Sequence, residues 1–391
     1  MIERTIILTD FDTSTHLEDF SLGESAELSL AGSRDWHVCV RTLRGGESQG
    51  VSVVDIGNGP LSFSVLPTRG MSLWKGRYRD LPLEWKSPVP RPVHPALVNL
   101  QDRNGLGWLN GFNELLVRCG LGFNGPPGND EGTDVTLHGR IGNLPAHRVS
   151  LTIHPEGPGS LTLQGVVDET SMFGACFRLT STLRMEAGAN AVEFRDEITN
   201  IGGGAQPLSL LYHINIGRPF LEAGARNVVA FRELAPRDQR AADGVAQHAV
   251  YEGPTSGYAE QAYYYRPAAD AEGWSSAVLH NAAATAGFAV HYNTHQLPCF
   301  VVWKNTQSEA EGYVTGLEPA VNFPNFRGFE RQHGRLPILQ PGESYQASMR
   351  WDFADHAAGV AAQMAHVAKL QAGQETRVHS LPQRGWSPAG G

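Results

Sequence analysis

Charge is thin in this sequence: only 18% of its 391 residues are Asp, Glu, Lys or Arg. No stretch gathers lysine and arginine into a basic stripe, which argues against a nucleic-acid partner. The net charge of -9 at pH 7 favours solubility and says little more. Cysteine is scarcer still. Cys39, Cys119, Cys176 and Cys299 are the whole set, far apart and without a CxxC pair. Each lies in an apolar, strand-like run, so free buried thiols are expected rather than a disulfide framework or a zinc site. Long apolar runs are missing as well; none approaches the ~18 residues a membrane helix needs. The opening MIERTIILTDF carries Glu3 and Asp10 and does not read as a signal peptide. A cytoplasmic protein with no membrane partner is expected. Nothing in the chain reads as a cofactor site.

Glycine and proline, by contrast, are plentiful, at 44 and 24 residues. They separate short runs of alternating character, such as VSVVDIG (51–57), HRVSLTIHP (147–155), FRLTSTLRM (177–185) and AVEFRDEITN (191–200). In the second, Val149, Leu151 and Ile153 face one way while Ser150 and Thr152 face the other. Period-two patterning with frequent turn signals predicts an all-β fold, a large antiparallel sandwich. Alternating βα units are absent, which disfavours a doubly wound parallel sheet. Residues 235–260 are alanine-rich, polar and loop-like. In residues 355–372, Val360, Met364 and Val367 fall at helical spacing, predicting an amphipathic helix packed on the sandwich. The expected organisation is one β-sandwich domain over 1–354, with 1–50 as N-terminal strands or an arm. A short C-terminal helix and a disordered tail then fill 355–391.

Three motifs fail on context. GLGFNG (120–125) has the spacing of a dinucleotide fingerprint, but PPGNDEGTD follows where a helix should start. GESQG (46–50) matches a hydrolase elbow around Ser48, yet a strand follows it, so the serine is expected in a solvated hairpin turn. HYNTH (291–295) spaces His291 and His295 by four, but Asn293 and Thr294 suggest a turn, and no metal site is expected.

The segments that survive are strands carrying isolated polar groups. In YVTGLEP, Val314, Gly316 and Glu318 share one face, and Tyr313, Thr315 and Leu317 the other. Gly316 is read as leaving room for a ligand beside the carboxylate. In LLYHINIG, Leu210, Tyr212, Ile214 and Ile216 form a core face, so His213 and Asn215 look into something polar. A carboxylate and an imidazole suffice to take one proton from a substrate and deliver another. In VTLHGRIGN, Thr136, His138 and Arg140 are read as sharing a face, with Arg140 suited to polyol or anion recognition. Arg69 stands at a glycine turn in VLPTRGMSLWKG. Trp303 stands on the strand before the glutamate strand, where its ring suits the C–H face of a sugar.

The order of these segments resembles the galactose mutarotase (aldose 1-epimerase) superfamily. The resemblance spans about residues 50–353 and is closest in LHNAAATAGFAVHYNTHQLPCFVVWKN, GLEPAVNFPNFR and LPILQPGESYQASMRWDF. It implies the galactose mutarotase-like β-supersandwich, with Glu318 as general base, His213 as general acid and His138 as the further active-site histidine. Arg69, Arg140, Asn215 and Trp303 are the expected substrate contacts. The substrate implied is a small carbohydrate whose anomers interconvert by ring opening, without cofactor or metal. Two departures stand out: Tyr212 replaces the Asn that precedes the family's acid histidine, and 258–274 offers no match for the substrate-binding aspartate. Arg69, Arg118 and Arg140 compete as the active-site arginine. Two alternatives follow. One is an epimerase of a phosphorylated or acidic sugar, which needs several arginines converging on an anion. The other is a carbohydrate-binding protein that has kept the fold and lost the chemistry. A homo-oligomer is left open.

Overall fold

A computed structural model describes residues 3–25 and 28–391. Two large sheets face each other, one of ten strands and one of thirteen; they are termed here the distal sheet and the site sheet. Strand pairing within them is antiparallel, apart from Phe231–Pro236 against Arg377–Val378 at one edge of the site sheet. The distal sheet follows the alternation of its sequence. In Cys176–Glu186, buried residues alternate with half-buried or exposed ones along the whole strand. Leu179 and Leu183 face inward there, and Leu210, Tyr212, Ile214 and Ile216 face them from the site sheet within one apolar core. Removing such side chains from water is worth roughly 1.5–3 kcal/mol each. Trp351 and Phe63 meet edge-on across the two sheets, ring centroids 6.3 Å apart.

One polar cluster crosses this core. Arg118 gives Nε to Asp196 Oδ2 at 2.5 Å and Nη2 to Ser181 Oγ at 2.8 Å, both on the distal sheet. Tyr212 adds its hydroxyl to Asp196 at 2.8 Å. The tyrosine that departs from the expected motif therefore points into the sandwich, away from the histidine beside it. Removing one member of such a pair leaves a buried charge unpaired, at a cost of about 3–5 kcal/mol.

The N-terminal fifty residues contribute strands to both sheets: Arg4–Asp10 pairs with Arg148–His154, and Trp36–Thr42 with Ser52–Asn58. The C-terminal helix, Ala357–Gln371, buries Val360, Gln363, Val367 and Leu370. Val367 and Leu370 pack on Val278 and Ala289 of the distal sheet. Met364 is only half-buried, and Gln363 takes an inward place because it donates to Asp352 Oδ1 at 2.7 Å.

Several local expectations are corrected. The tail is packed rather than disordered: Trp386 is buried against Phe323, and Asn325 Nδ2 donates to its carbonyl at 2.8 Å. An indole stacking on another ring outweighs the polar, glycine-rich look of QRGWSPAGG. Ser48 is buried, not solvated, because its hydroxyl donates to Pro92 O at 2.6 Å. The four cysteines are free, but only Cys119 and Cys299 are buried; Cys39 and Cys176 are half-buried. His291 bonds Asp352 at 2.6 Å on its strand, while His295 lies over Gly273 in the turn beyond. Among the described residues, no group of three or more His, Cys, Asp or Glu is arranged to hold a metal ion, and no helix is long and apolar enough to cross a membrane. GLGFNG runs from the end of a strand into a loop, with no helix before the next strand at Gly128–Asp130.

Candidate active site

The histidine strand, Ser209–Ile216, lies between Leu116–Leu121 and the glutamate strand, Tyr313–Ala320. On its other side the glutamate strand pairs with Cys299–Thr306, setting Val301 opposite Glu318 and Trp303 opposite Gly316. Because alternate residues share a face, His213, Glu318 and Trp303 all stand on the outward side of the site sheet. Both central strands are buried along their full length. Their outward side is therefore covered, and these polar groups line a cavity of about 720 Å³.

At its floor, His213 Nε2 is 3.3 Å from Glu318 Oε1. This is longer than the roughly 2.7–2.9 Å of a tight charge-assisted bond. Glu318 Oε1 is buried without a hydrogen-bond partner. Gly316 does leave space beside the carboxylate, as its position suggested, but Glu318 itself fills it: a Cβ on Gly316 would collide with Oε1.

Asn215 lies behind His213. Its Nδ2 donates to Glu114 O at 3.0 Å and to His213 O at 3.1 Å. Both partners only accept, so the amide oxygen is the atom 2.5 Å from His213 Nδ1, and Nδ1 is the donor. The tautomer follows: in the neutral ring, Nε2 carries the lone pair and turns it toward Glu318. Asn215 is fully buried and does not line the cavity, so its expected role as a substrate contact is replaced by a positioning one.

His138 completes a cluster of rings, its centroid 5.5 Å from His213 and 4.8 Å from Trp108. It is not on a strand. Its φ of 58° is left-handed, held by its N–H to Gly125 O at 2.9 Å and by Gly120 N–H to its carbonyl at 3.1 Å. Gly139 follows at φ 75°, where a Cβ would strike the carbonyls of Phe123 and Gly120. This turn breaks the alternation that was to place Arg140 beside His138, and Arg140 is exposed, away from the cavity.

Burial governs the charges. It pushes His213 down to about 4, only partly offset by the bond to Asn215 and the field of Glu260. It pushes Glu318 well above the usual carboxylate range, with Glu260 adding to the rise and Arg237 opposing it. His138 is held well below the ordinary histidine value by burial and by His213. The expected roles, Glu318 as base and His213 as acid, call for a carboxylate beside a protonated histidine. Desolvation is the largest cause of both shifts, and it opposes the charged form of each group.

The remaining site residues divide sharply. Trp303 lines the cavity, and its Nε1 donates to Glu260 Oε2 at 2.6 Å. Arg69 does not reach it: its guanidinium is spent on Glu114, Val93 O, Asn143 and Gly111 O, all buried. Arg118 is locked between the sheets. The guanidinium that does line the cavity is Arg237, 2.9 Å from both Asp238 and Glu260. Sequence reasoning missed Arg237 and Glu260, which fall at the two ends of the stretch read as loop. Phe231–Pro236 is in fact a strand and Gln239–Asp243 a helical turn, so Arg237 sits at a strand end. It also missed the aromatic wall of Trp85, Trp108 and Phe112. The only local signal was the density of aromatic residues in GWLNGF.

The crystal structure of a putative aldose 1-epimerase from Klebsiella pneumoniae subsp. pneumoniae is 32% identical, with 96% of this chain and 98% of that one covered and a TM-score of 0.92. A galactose mutarotase-like protein from Clostridium acetobutylicum is 13% identical over 83% of this chain and 100% of its own, TM-score 0.56. A galactose mutarotase related enzyme from Lactobacillus acidophilus is 10% identical over 78% and 98%, TM-score 0.52. The last two speak for the fold alone. No curated protein matches the sequence. Residues 48–352 match the family described as a domain of unknown function, DUF4432. The chain is thus a member of the DUF4432 family, built on the galactose mutarotase-like fold and related to putative aldose 1-epimerases.

Proposed function

We infer that the protein interconverts the anomers of a sugar by acid/base ring opening. The observation that carries this reading is the contact of 3.3 Å between His213 Nε2 and Glu318 Oε1 at the floor of an aromatic-walled cavity. In this cycle the pair shares one proton. With that proton on His213, the Glu318 carboxylate takes the proton of the anomeric hydroxyl while His213 gives its own to the ring oxygen. The C1–O5 bond breaks, an open-chain aldehyde forms, and both protein groups are neutral. Burial favours the uncharged form of each group. Rotation about C1–C2 presents the other carbonyl face. Glu318 then returns its proton to the carbonyl oxygen, His213 takes the O5 proton, and the ring closes. His138, 5.5 Å from His213 between ring centroids, is placed to hold a neighbouring oxygen. Trp303 offers a face for the sugar's C–H groups.

The phosphorylated or acidic sugar is less well supported. Arg237 is the one guanidinium lining the cavity among the described residues, and Asp238 and Glu260 already neutralise it. The test is anomer exchange by NMR or polarimetry on freshly dissolved α-sugars. Acceleration that Glu318→Gln abolishes is the expected result. Binding without acceleration by the unaltered chain overturns the enzyme in favour of a binding protein.

A further inference from the structure

The cavity continues outward from the pair, and its chemistry changes with depth. The floor is His213, 6% exposed, and Glu318, 3% exposed. The rim is Pro88, Leu109, Pro126, Pro388 and Ala389, all exposed. At about 720 Å³ the space equals roughly two dozen liquid waters at about 30 Å³ each. One pyranose displaces far fewer, and a ring seated on the pair leaves the rim unfilled.

The polar side chains near the rim are already engaged. Ser87 Oγ donates to Phe112 O at 2.7 Å. Asn325 Nδ2 donates to Glu330 and to Trp386 O. Ser387 Oγ donates to Arg237 O. Glu311 and Asn305 also line the space; Glu311 accepts from Ser308 Oγ at 2.6 Å and Asn305 donates to Gly312 O at 3.1 Å. Between these engaged groups the open mouth is apolar. Such a surface suits the C–H face of a second ring whose hydroxyls stay in water.

Part of this rim comes from beyond the family match, which ends at residue 352. The segment 385–389 is anchored there. Trp386 stacks on Phe323 with centroids 5.8 Å apart, and Arg335 Nη1 donates to Gly385 O at 2.7 Å.

We propose that the rim is a second subsite, taking the non-reducing ring of a reducing disaccharide whose free anomeric centre reaches Glu318 and His213. The segment 385–389 sets that preference. This rests on the ring-opening activity proposed above, because only a free anomeric hydroxyl can react at the pair.

Titration calorimetry of the full chain with lactose and cellobiose, against galactose and glucose, tests it. The disaccharides are expected to bind about tenfold more tightly, or about 1.4 kcal/mol. Ala389→Trp, which puts bulk into the rim, is expected to collapse that ratio toward one. Equal affinities in the unaltered chain, a ratio that Ala389→Trp leaves unmoved, or no binding of any sugar overturns the subsite. Disaccharide-selective binding without faster anomer exchange supports the subsite while overturning the proposed activity, so the two failures read separately.

Discussion

On the outward face of the distal sheet, Arg178 meets Asp168 at 2.8 Å across neighbouring strands. Glu193 stands between Arg184 and Arg350 at 3.3 Å each. Those side chains are partly exposed, and water screens them. On the outward face of the site sheet, His213, Asn215 and Glu318 occupy equivalent alternate positions and are almost wholly buried. Both faces are written by the same period-two pattern. The difference lies in what covers them: solvent and a C-terminal helix on one side, and an aromatic wall with its loops on the other. A charge in water is nearly free to stay charged, whereas a charge behind Trp108 and Phe112 must find a partner or become neutral. On the second face, burial therefore shifts the pair's proton affinities, His213 downward and Glu318 upward.

The sharpest way to break this contrast is to disable one member of the buried pair. Glu318→Gln and His213→Gln are each expected to lower anomer-exchange turnover by about 10²–10⁴-fold, followed by NMR, with the fold intact by circular dichroism. Near-normal turnover in either variant would remove the pair from the mechanism.

The pH profile sharpens it next. In the proposed cycle the pair works while it holds one proton. The acid limb is expected near pH 4, where His213 gains a second proton while Glu318 keeps its own. The alkaline limb follows loss of the Glu318 proton, well above the ordinary carboxylate value. Stability carries the matching sign. His213 is lowered from 6.5 to about 4, so its contribution is complete above pH 6.5 and is lost as pH falls through about 4. That contribution is on the order of 3 kcal/mol. His213→Gln should flatten this slope in denaturant titrations at stepped pH.

Asn215 gives a smaller effect with its own signature. Asn215→Leu removes the acceptor that favours protonated His213, so the acid limb should move to lower pH and turnover fall by about 10–100-fold. The ¹⁵N shifts of His213 should lose their pure Nδ1–H tautomer. An unchanged tautomer would reduce Asn215 to a packing residue. Smallest of all, Arg178→Ala on the distal sheet should cost about 0–1 kcal/mol of stability and leave turnover unmoved. A large loss of turnover there would erase the distinction between the two faces.

The strands and their inward faces were readable because alternation is a local property: Leu210, Tyr212, Ile214 and Ile216 are found in the core by counting in twos. The segments holding His213 and Glu318 were readable for the same reason, since a polar residue on an apolar strand stands out. The arginines were not readable. Arg69, Arg118 and Arg140 differ little in sequence context, yet one is locked beside Glu114, one bridges the sheets and one is in solvent. Arg237 and Glu260 lay in a stretch whose composition looked like loop. His138 was placed on a strand because nothing local announces a left-handed histidine; the N–H of Gly120 and the carbonyl of Gly125 hold it there.

The sequence by itself determined the period of the strands, the scarcity of charge and the few polar groups set into apolar runs, because side-chain direction along a strand depends only on neighbours in the chain. The tertiary structure alone decided which of those polar groups left water, which nitrogen of His213 carries its proton, and in which direction burial shifts each member of the pair. Desolvation depends on everything packed around a group, and those neighbours come from residues as far apart in the chain as Trp85 and Ala389.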